Sequence, residues 1–470
     1  MAQTALRKNQ DLTQGPILSK IILFTLPLIA TAVLQLLFNT ADTIVVGRWG
    51  GDTPKEREIA LAAVGSCGSL INLIINLFFG LSVGAGVSVA HDIGAKHFDD
   101  VKKTVHTSVL TALICGAVVT VFGLCMARPL LALMGTDPAV LDQAVPYMCA
   151  YFCGMPANTL YNYCAAMLRS SGDTTRPLIF LSTAGVANVG LNLVMVLVFR
   201  TGALGVGVAT ATSHWISCLL IVGYLMHYNG PCKIEWKELQ IDRSKLKKIL
   251  NVGLPAGLQG TLFSFSNVII QSSINSLGTA MVAGNTAASN LDGYVYATQN
   301  ALYHTALTFV GQNMGAKKFD RLKRCILWCI IVVTVVGLTV GLSVYALGEP
   351  LLSIFIPGNE GAISAGMQRL AIMGVFYFLC GLMEVGTGIM RGLGKSITPM
   401  IVSLLGSCVF RVVWIYTVFA IMPTPFILYI SYPISWLVTG GTHFIFCYFT
   451  LRQQLRENTP PMLEVSETKA

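Results

Sequence analysis

Apolar runs of about 20 residues recur from Ile17 to Leu451 with short polar breaks between them, the length a helix needs to cross a bilayer. The pattern predicts twelve spans. The first covers Ile17 to Gly47, the second begins near Ile59, and others lie near 104–127, 140–168, 178–199 and 204–227. A polar stretch, 229–248, carries six Lys or Arg and divides the chain almost in half. Beyond it the pattern restarts. Leu254-Pro255 echoes Leu26-Pro27, GQNMGAKKFDRLKR echoes DIGAKHFDDVKK, EPLL at Glu349 echoes RPLL at Arg128, and MRGLGKSITP at Met390 echoes LRSSGDTTRP at Leu168; the last three pairs keep an offset of 221 or 222 residues. Such a repeat predicts an all-α integral membrane protein of twelve transmembrane helices in two six-helix lobes, related by an axis along the membrane normal. The expected division is a first lobe at 1–228, a linker at 229–248, a second lobe at 249–451 and a tail at 452–470.

Composition agrees with this class. Of 470 residues, 54% are hydrophobic and 11% charged, against about 25% charged in soluble domains, and the mean hydropathy is +0.67. Most Lys and Arg fall in the first tail, the even-numbered loops and the last tail. By the positive-inside rule both termini are then expected to be cytoplasmic in a multi-pass inner-membrane protein. The net charge of +9 is absorbed by that topology and calls for no nucleic-acid partner.

Against the apolar background a few polar groups stand out. Gln35, Asn39 and Asp42 share a helical stripe at i, i+4 and i+7. A carboxyl within hydrocarbon is costly and marks an ion or proton pathway by default, the alternative being a helix-packing hydrogen bond. Asn188 and Asn192 share a face of the fifth span, and Thr210 follows in the sixth; such oxygens with one carboxylate suit a hard monovalent cation. The second half buries Asp292, Glu384 and Arg411 in spans eight, ten and eleven, and adjacency of their spans suggests a Glu384–Arg411 pair, with Asp292 as another partner.

Other chemistries lack their residues. GLGKS at Gly392 has Ile389 where a phosphate-binding loop needs its first glycine, there is no HExxH, and GLSVG at Gly80 lies in a helical run without the turn a serine nucleophile requires. The thirteen cysteines sit mostly in apolar runs and read as buried small side chains. No enzyme activity, cofactor or metal is expected beyond a coupling ion.

Taken together, DLTQGPILSKIILFTLPL, NTADTIVVGRWGG, ALAAVG, the GAK loop of each half, LRSSGDTTRP and GVGVATA resemble the multidrug and toxic compound extrusion (MATE) family of the MOP superfamily, across essentially the whole chain. The resemblance implies a V-shaped, alternately opening cleft and export of organic, often cationic, drugs or metabolites by antiport against sodium ions or protons, acting as a monomer in the lipid bilayer. It implies that Asp42 meets the coupling cation, that Asn188, Asn192 and Thr210 surround it, and that Gln35 and Asn158, with Asn39 on the same stripe, face the substrate. The seventh span carries no acid, so the chain looks closer to MepA-like or DinF-like members than to NorM-like ones. A lipid-linked oligosaccharide flippase of the same superfamily is the alternative; a strongly cationic cleft would favour it, and the basic residues here are read as nearly all belonging to loops.

Overall fold

The computed structural model describes residues 11–458, and all regular elements in that range are helical. In the first half these are α1 (Ile17–Trp49), α2 (Pro54–Gly94), α3 (Phe98–Leu133), α4 (Pro138–Cys153), α5 (Met155–Ser170), α6 (Thr175–Leu193) and α7 (Gly202–Met226). In the second they are α8 (Arg243–Asn275), α9 (Thr279–Gly315), α10 (Phe319–Ala346), the short α11 (Gly348–Phe355), α12 (Glu360–Gly392), α13 (Ile397–Ser403), α14 (Phe410–Trp414) and α15 (Pro425–Asn458). With α4 and α5 joined end to end at Gly154, and α13 and α14 joined through π-helical turns, the chain makes six passes per half. Large apolar side chains such as Val121, Leu219 and Leu437 stay 60–67% exposed on the outer faces, as lipid-facing positions do.

Nine of the described passes are long and apolar enough to span a membrane on their own. The other three are α4 with α5, which are individually short, and α8 and α9, which contribute many polar residues to a central cavity.

Local chemistry sets the boundaries. Thr53 and Glu56 form a reciprocal capping box at the start of α2, and the Asp242 carboxylate caps α8 by accepting from the Lys245 N–H at 3.0 Å. The repeat reappears as backbone geometry: Lys96 and Lys317 of the two GAK turns have φ of 58° and 53°, and Gly172 and Gly394 have φ of 89° and 83°. The connection between halves is 227–242, shorter than the expected 229–248, because Lys245, Lys247 and Lys248 already belong to α8. It lies against the first lobe, where Lys102 bridges Glu235 and Glu238 at 2.8 and 2.6 Å. The expected tail 452–470 is helical to 458, and its remainder lies outside the described residues.

The lobes exchange helix ends. The first half of α1 leaves its own lobe: Ile17, Ile21, Phe24 and Leu28, with Leu12 just before the helix, enter the hydrophobic core of α9, α10 and α12, with Phe24 edge-on to Phe309 at 5.6 Å. The start of α8 does the reverse, placing Ile249 in the first lobe's core and Lys245 on Asp92 at 2.8 Å. Between them α2 packs on α8 through glycines. A Cβ on Gly80 would lie 2.0 Å from the Gly257 nitrogen, and one on Gly84 would lie 2.1 Å from the Ile249 carbonyl. The pseudo-twofold shows again where Gly94 abuts the Gln312 carbonyl and Gly315 abuts the His91 carbonyl. These contacts, with His91 Nε2 donating to the Gly392 carbonyl at 2.6 Å and Gln312 to the Ser170 carbonyl at 2.7 Å, seal the side of the molecule that carries the linker and the end of α15.

Candidate substrate cavity and cation site

Above the seal a cavity of about 840 Å³ lies between the lobes, lined from α1, α2, α5, α6, α8, α9, α12, α14 and α15. Gln35 faces it, along with Asn76 and Asn162. Asn158 does not line the main cavity. One turn before Asn162, it lies in a narrow side crevice beside Phe78 and Phe79 and accepts from the Asn162 amide at 2.9 Å. Asn39 is exposed on α1, outside the cavity wall.

Asp42 lies two turns beyond Gln35 and is not part of that wall. Asn192 of α6 donates to Asp42 Oδ1, and the Thr210 hydroxyl of α7 donates to Asp42 Oδ2 at 3.5 Å. Asn192 also donates to Asn188 Oδ1 at 3.3 Å, and Asn188 donates to Thr210 Oγ1 at 3.5 Å. The four residues singled out in the first half therefore form one network. Asn188 and Asn192 are buried on the same face of α6, and the helix loosens into a π-helical turn, Val194–Val198, directly after them. Asn192 Oδ1 is buried without a hydrogen-bond partner. One carboxylate with neutral amide and hydroxyl oxygens is a donor set that fits sodium, and the same carboxylate can take a proton. Tyr147 and Tyr151 of α4 stand close enough to interact with the Asp42 charge. Sequence reading missed both, although they share a face of α4 at i, i+4 spacing.

The second lobe arranges its charges differently from the expectation. Arg411 is buried, donates from Nε to the Ser435 hydroxyl at 2.9 Å and lies over the Tyr432 ring at 4.2 Å, so the expected Glu384–Arg411 pair is not formed. Glu384 lines the cavity with Tyr296 and Arg391. Asp292 pairs with Arg369 of α12, which donates from Nη2 and Nε at 2.7 and 2.8 Å and reaches Asn285 with Nη1 at 2.6 Å. Helix depth explains the miss: Arg411 lies between two π-helical turns, next to the aromatic face of α15, while Glu384 lies near the sealed end of α12.

The basic residues also need correction. Arg169, Arg369 and Arg391, read as loop charges, line the cavity with Arg411. Arg169 is the penultimate residue of α5 and Arg391 that of α12, so each stands at the cavity floor rather than in a loop. A signal was present in the repeat, because the two arginines hold equivalent positions in LRSSGDTTRP and MRGLGKSITP.

The MatE family profile matches residues 27–194 and 255–417, one match in each half. The probable multidrug resistance protein YoeA of Bacillus subtilis (strain 168) is 28% identical over 390 residues, covering 81% of this chain and 82% of that one. The probable multidrug resistance protein YpnP of the same strain is 26% identical over 412 residues, covering 86% and 89%. Among solved structures, an outward-facing multidrug resistance MATE family transporter of the MOP superfamily superposes with a TM-score of 0.88 at 22% identity, covering 96% of this chain and all of that one.

Proposed function

The chain belongs to the MatE family of membrane transporters, not to a family of enzymes, and from that premise we propose that it exports organic compounds from the cytoplasm by antiport against sodium ions or protons. Relatives named as multidrug resistance proteins support a broad substrate range. One observation carries the coupling. The helix that holds Asp42 in the first lobe also inserts its opposite end, Ile17 to Leu28, into the second lobe to form the seal.

In this reading the termini are cytoplasmic, the seal closes the cytoplasmic side, and the cavity is the outward-open half of an alternating cycle. A cation arriving at Asp42 competes with the Asn192 and Thr210 hydrogen bonds and favours one seating of α1 against α6 and α7. Pro27 lies between the two ends of α1, where the missing backbone bond gives the helix a place to bend. If substrate and cation favour different seatings, binding one releases the other, and coupling equals that difference in affinity.

The test is export of a fluorescent substrate from proteoliposomes under an imposed sodium or proton gradient, without ATP. Gradient-driven movement lost in Asp42→Asn at equal protein density is the expected result. Movement that requires ATP, or survives the substitution, would refute the coupling.

A further inference from the structure

The cavity wall carries four arginines and two carboxylates. Asp292 is already committed to Arg369. Even with Glu384 set against one of the others, two positive charges remain facing the space between the lobes. Arg391 is 6% exposed, donates to the Tyr303 hydroxyl at 2.6 Å and to Gln259 at 2.8 Å, and keeps Nε buried without a partner. Arg411 is 4% exposed and keeps Nη2 buried without a partner. Arg169 and Arg391, one from each lobe and related by the internal repeat, line the cavity together with His304.

Buried cations without counter-charges are costly, and guanidinium groups are shaped for bidentate recognition of carboxylate or phosphate. The same residues lie against rings: Arg391 is 5.5 Å from the Tyr303 centroid, and Arg411 is 4.2 Å from the Tyr432 centroid and 5.9 Å from that of Trp436. A volume of about 840 Å³ accepts a ligand of drug size.

We infer that the cavity binds an organic anion, a carboxylate or phosphate on an aromatic body, with Arg169 and Arg391 receiving the charge at the floor and the rings near Arg411 receiving the planar part. This rests on the reading of the cavity as the transport route and narrows its substrate class. An aromatic cation meets a net positive wall there, so the field selects against it.

The test uses the full chain in phosphatidylcholine nanodiscs and three probes: flavin mononucleotide, riboflavin, which is the same ring without the phosphate, and ethidium, an aromatic cation. Flavin mononucleotide should bind about tenfold or more tighter than riboflavin, and ethidium should not displace it. Arg169→Gln and Arg391→Gln should each erase most of that preference while riboflavin affinity stays the same. Arg169 has no described ion-pair partner to strand, and Arg169→Lys, which keeps the charge, should retain part of the preference in a normally folded protein. Equal binding of the two flavins, or tighter binding of ethidium, would overturn the inference. Displacement of flavin mononucleotide by added phosphatidylglycerol would assign the floor to a lipid headgroup and overturn a soluble anion.

The outcome separates from that of the proposed antiport. Gradient-driven efflux of ethidium with no anion preference would leave the antiport standing and remove this inference; a strong anion preference with no gradient-driven movement would do the reverse.

Discussion

In the first lobe Asp42 lies among Asn188, Asn192 and Thr210. Counted from the helix prolines Pro27 and Pro255, the corresponding residue of the second lobe is the aliphatic Ile270, which packs with Ile274, Ile415, Phe419 and Leu428. The second lobe's polar groups lie elsewhere and have the opposite balance: Arg411 under Tyr432, and Arg369 tied to Asp292. Two copies of one six-pass unit therefore keep the same backbone turns and seal while placing their buried charges at different positions, a carboxylate network in one and an arginine-rich wall in the other. Duplication supplies the hinge-like frame twice. Under the proposed coupling, the first copy alone would serve the cation, leaving the other to shape the cavity wall.

The largest expected effect tests whether that division is functional. Asp42→Asn keeps the side-chain shape and removes the charge, and gradient-driven export should fall by roughly 100-fold, the upper range of a coupling free energy. Installing the acid in the other copy, Ile270→Asp, should not restore it, because that site offers aliphatic and aromatic neighbours instead of Asn and Thr oxygens. Export measured in vesicles at matched protein density decides both. Rescue by Ile270→Asp in the Asp42→Asn background would show that the lobes are interchangeable.

On stability rather than transport, the largest effect is expected at an acid of the second lobe. Asp292 is 5% exposed and Arg369 7% exposed, and removing one member of such a pair strands the other, at a cost of about 3–5 kcal/mol. Asp292→Asn should lower the melting temperature more than Asp292→Asn combined with Arg369→Leu does. If the two losses simply add, the pair is not the support that its geometry indicates, and Asp292 becomes available for ion binding, which would erase the contrast between lobes.

Much of this contrast was legible in the residues themselves, for particular reasons. Asp42, Asn188, Asn192 and Thr210 stood out because each interrupts an apolar run, and the helical period placed the two asparagines on one face. The duplication was readable because its turn motifs repeat, down to the left-handed Lys96 and Lys317. Partner choice in the second lobe was not readable. Arg369 sits early in α12 and looked like a loop charge, and nothing local says that it turns toward Asp292 on α9. The exchange of α1 and α8 ends between lobes was also hidden, since both helices are apolar or small-residue on several faces and either lobe could have received them.

A smaller effect sharpens the comparison at the seal, where each lobe holds the other's helix by different chemistry. Lys245 of α8 is fastened to Asp92 and lies 3.4 Å from Asp100, whereas the chain before α1 is held by Arg321 through the carbonyls of Leu12, Gln14 and Gly15. Lys245→Met should raise amide exchange in the first turns of α8 by about tenfold, equivalent to about 1.4 kcal/mol of local stability. Exchange at the start of α1 should stay unchanged. Equal loosening at both ends would mean that the seal opens as one unit.

The smallest effect concerns the linker, which is strapped to the first lobe alone. Glu235 has its pKa lowered from 4.5 to about 2, first by the hydrogen bond from Lys102 and then by that from Lys233. A carboxylate depressed on folding adds stability above its unfolded value and loses it as pH falls toward the folded one. The strap should therefore be intact at neutral pH and weaken between about pH 4.5 and about pH 2. Because Glu235 is exposed to solvent, salt and water screen the attraction, and only a few-fold rise in amide exchange across 227–242 is expected in Glu235→Gln at pH 6. Variant and parent compared at the same pH should converge as the pH approaches 2, where the parent carboxylate is itself protonated. Identical exchange already at pH 6 would assign the strap to the neutral bonds instead, in which the Asp242 N–H donates to Thr107 at 3.0 Å and the Glu235 N–H donates to His106 at 3.1 Å.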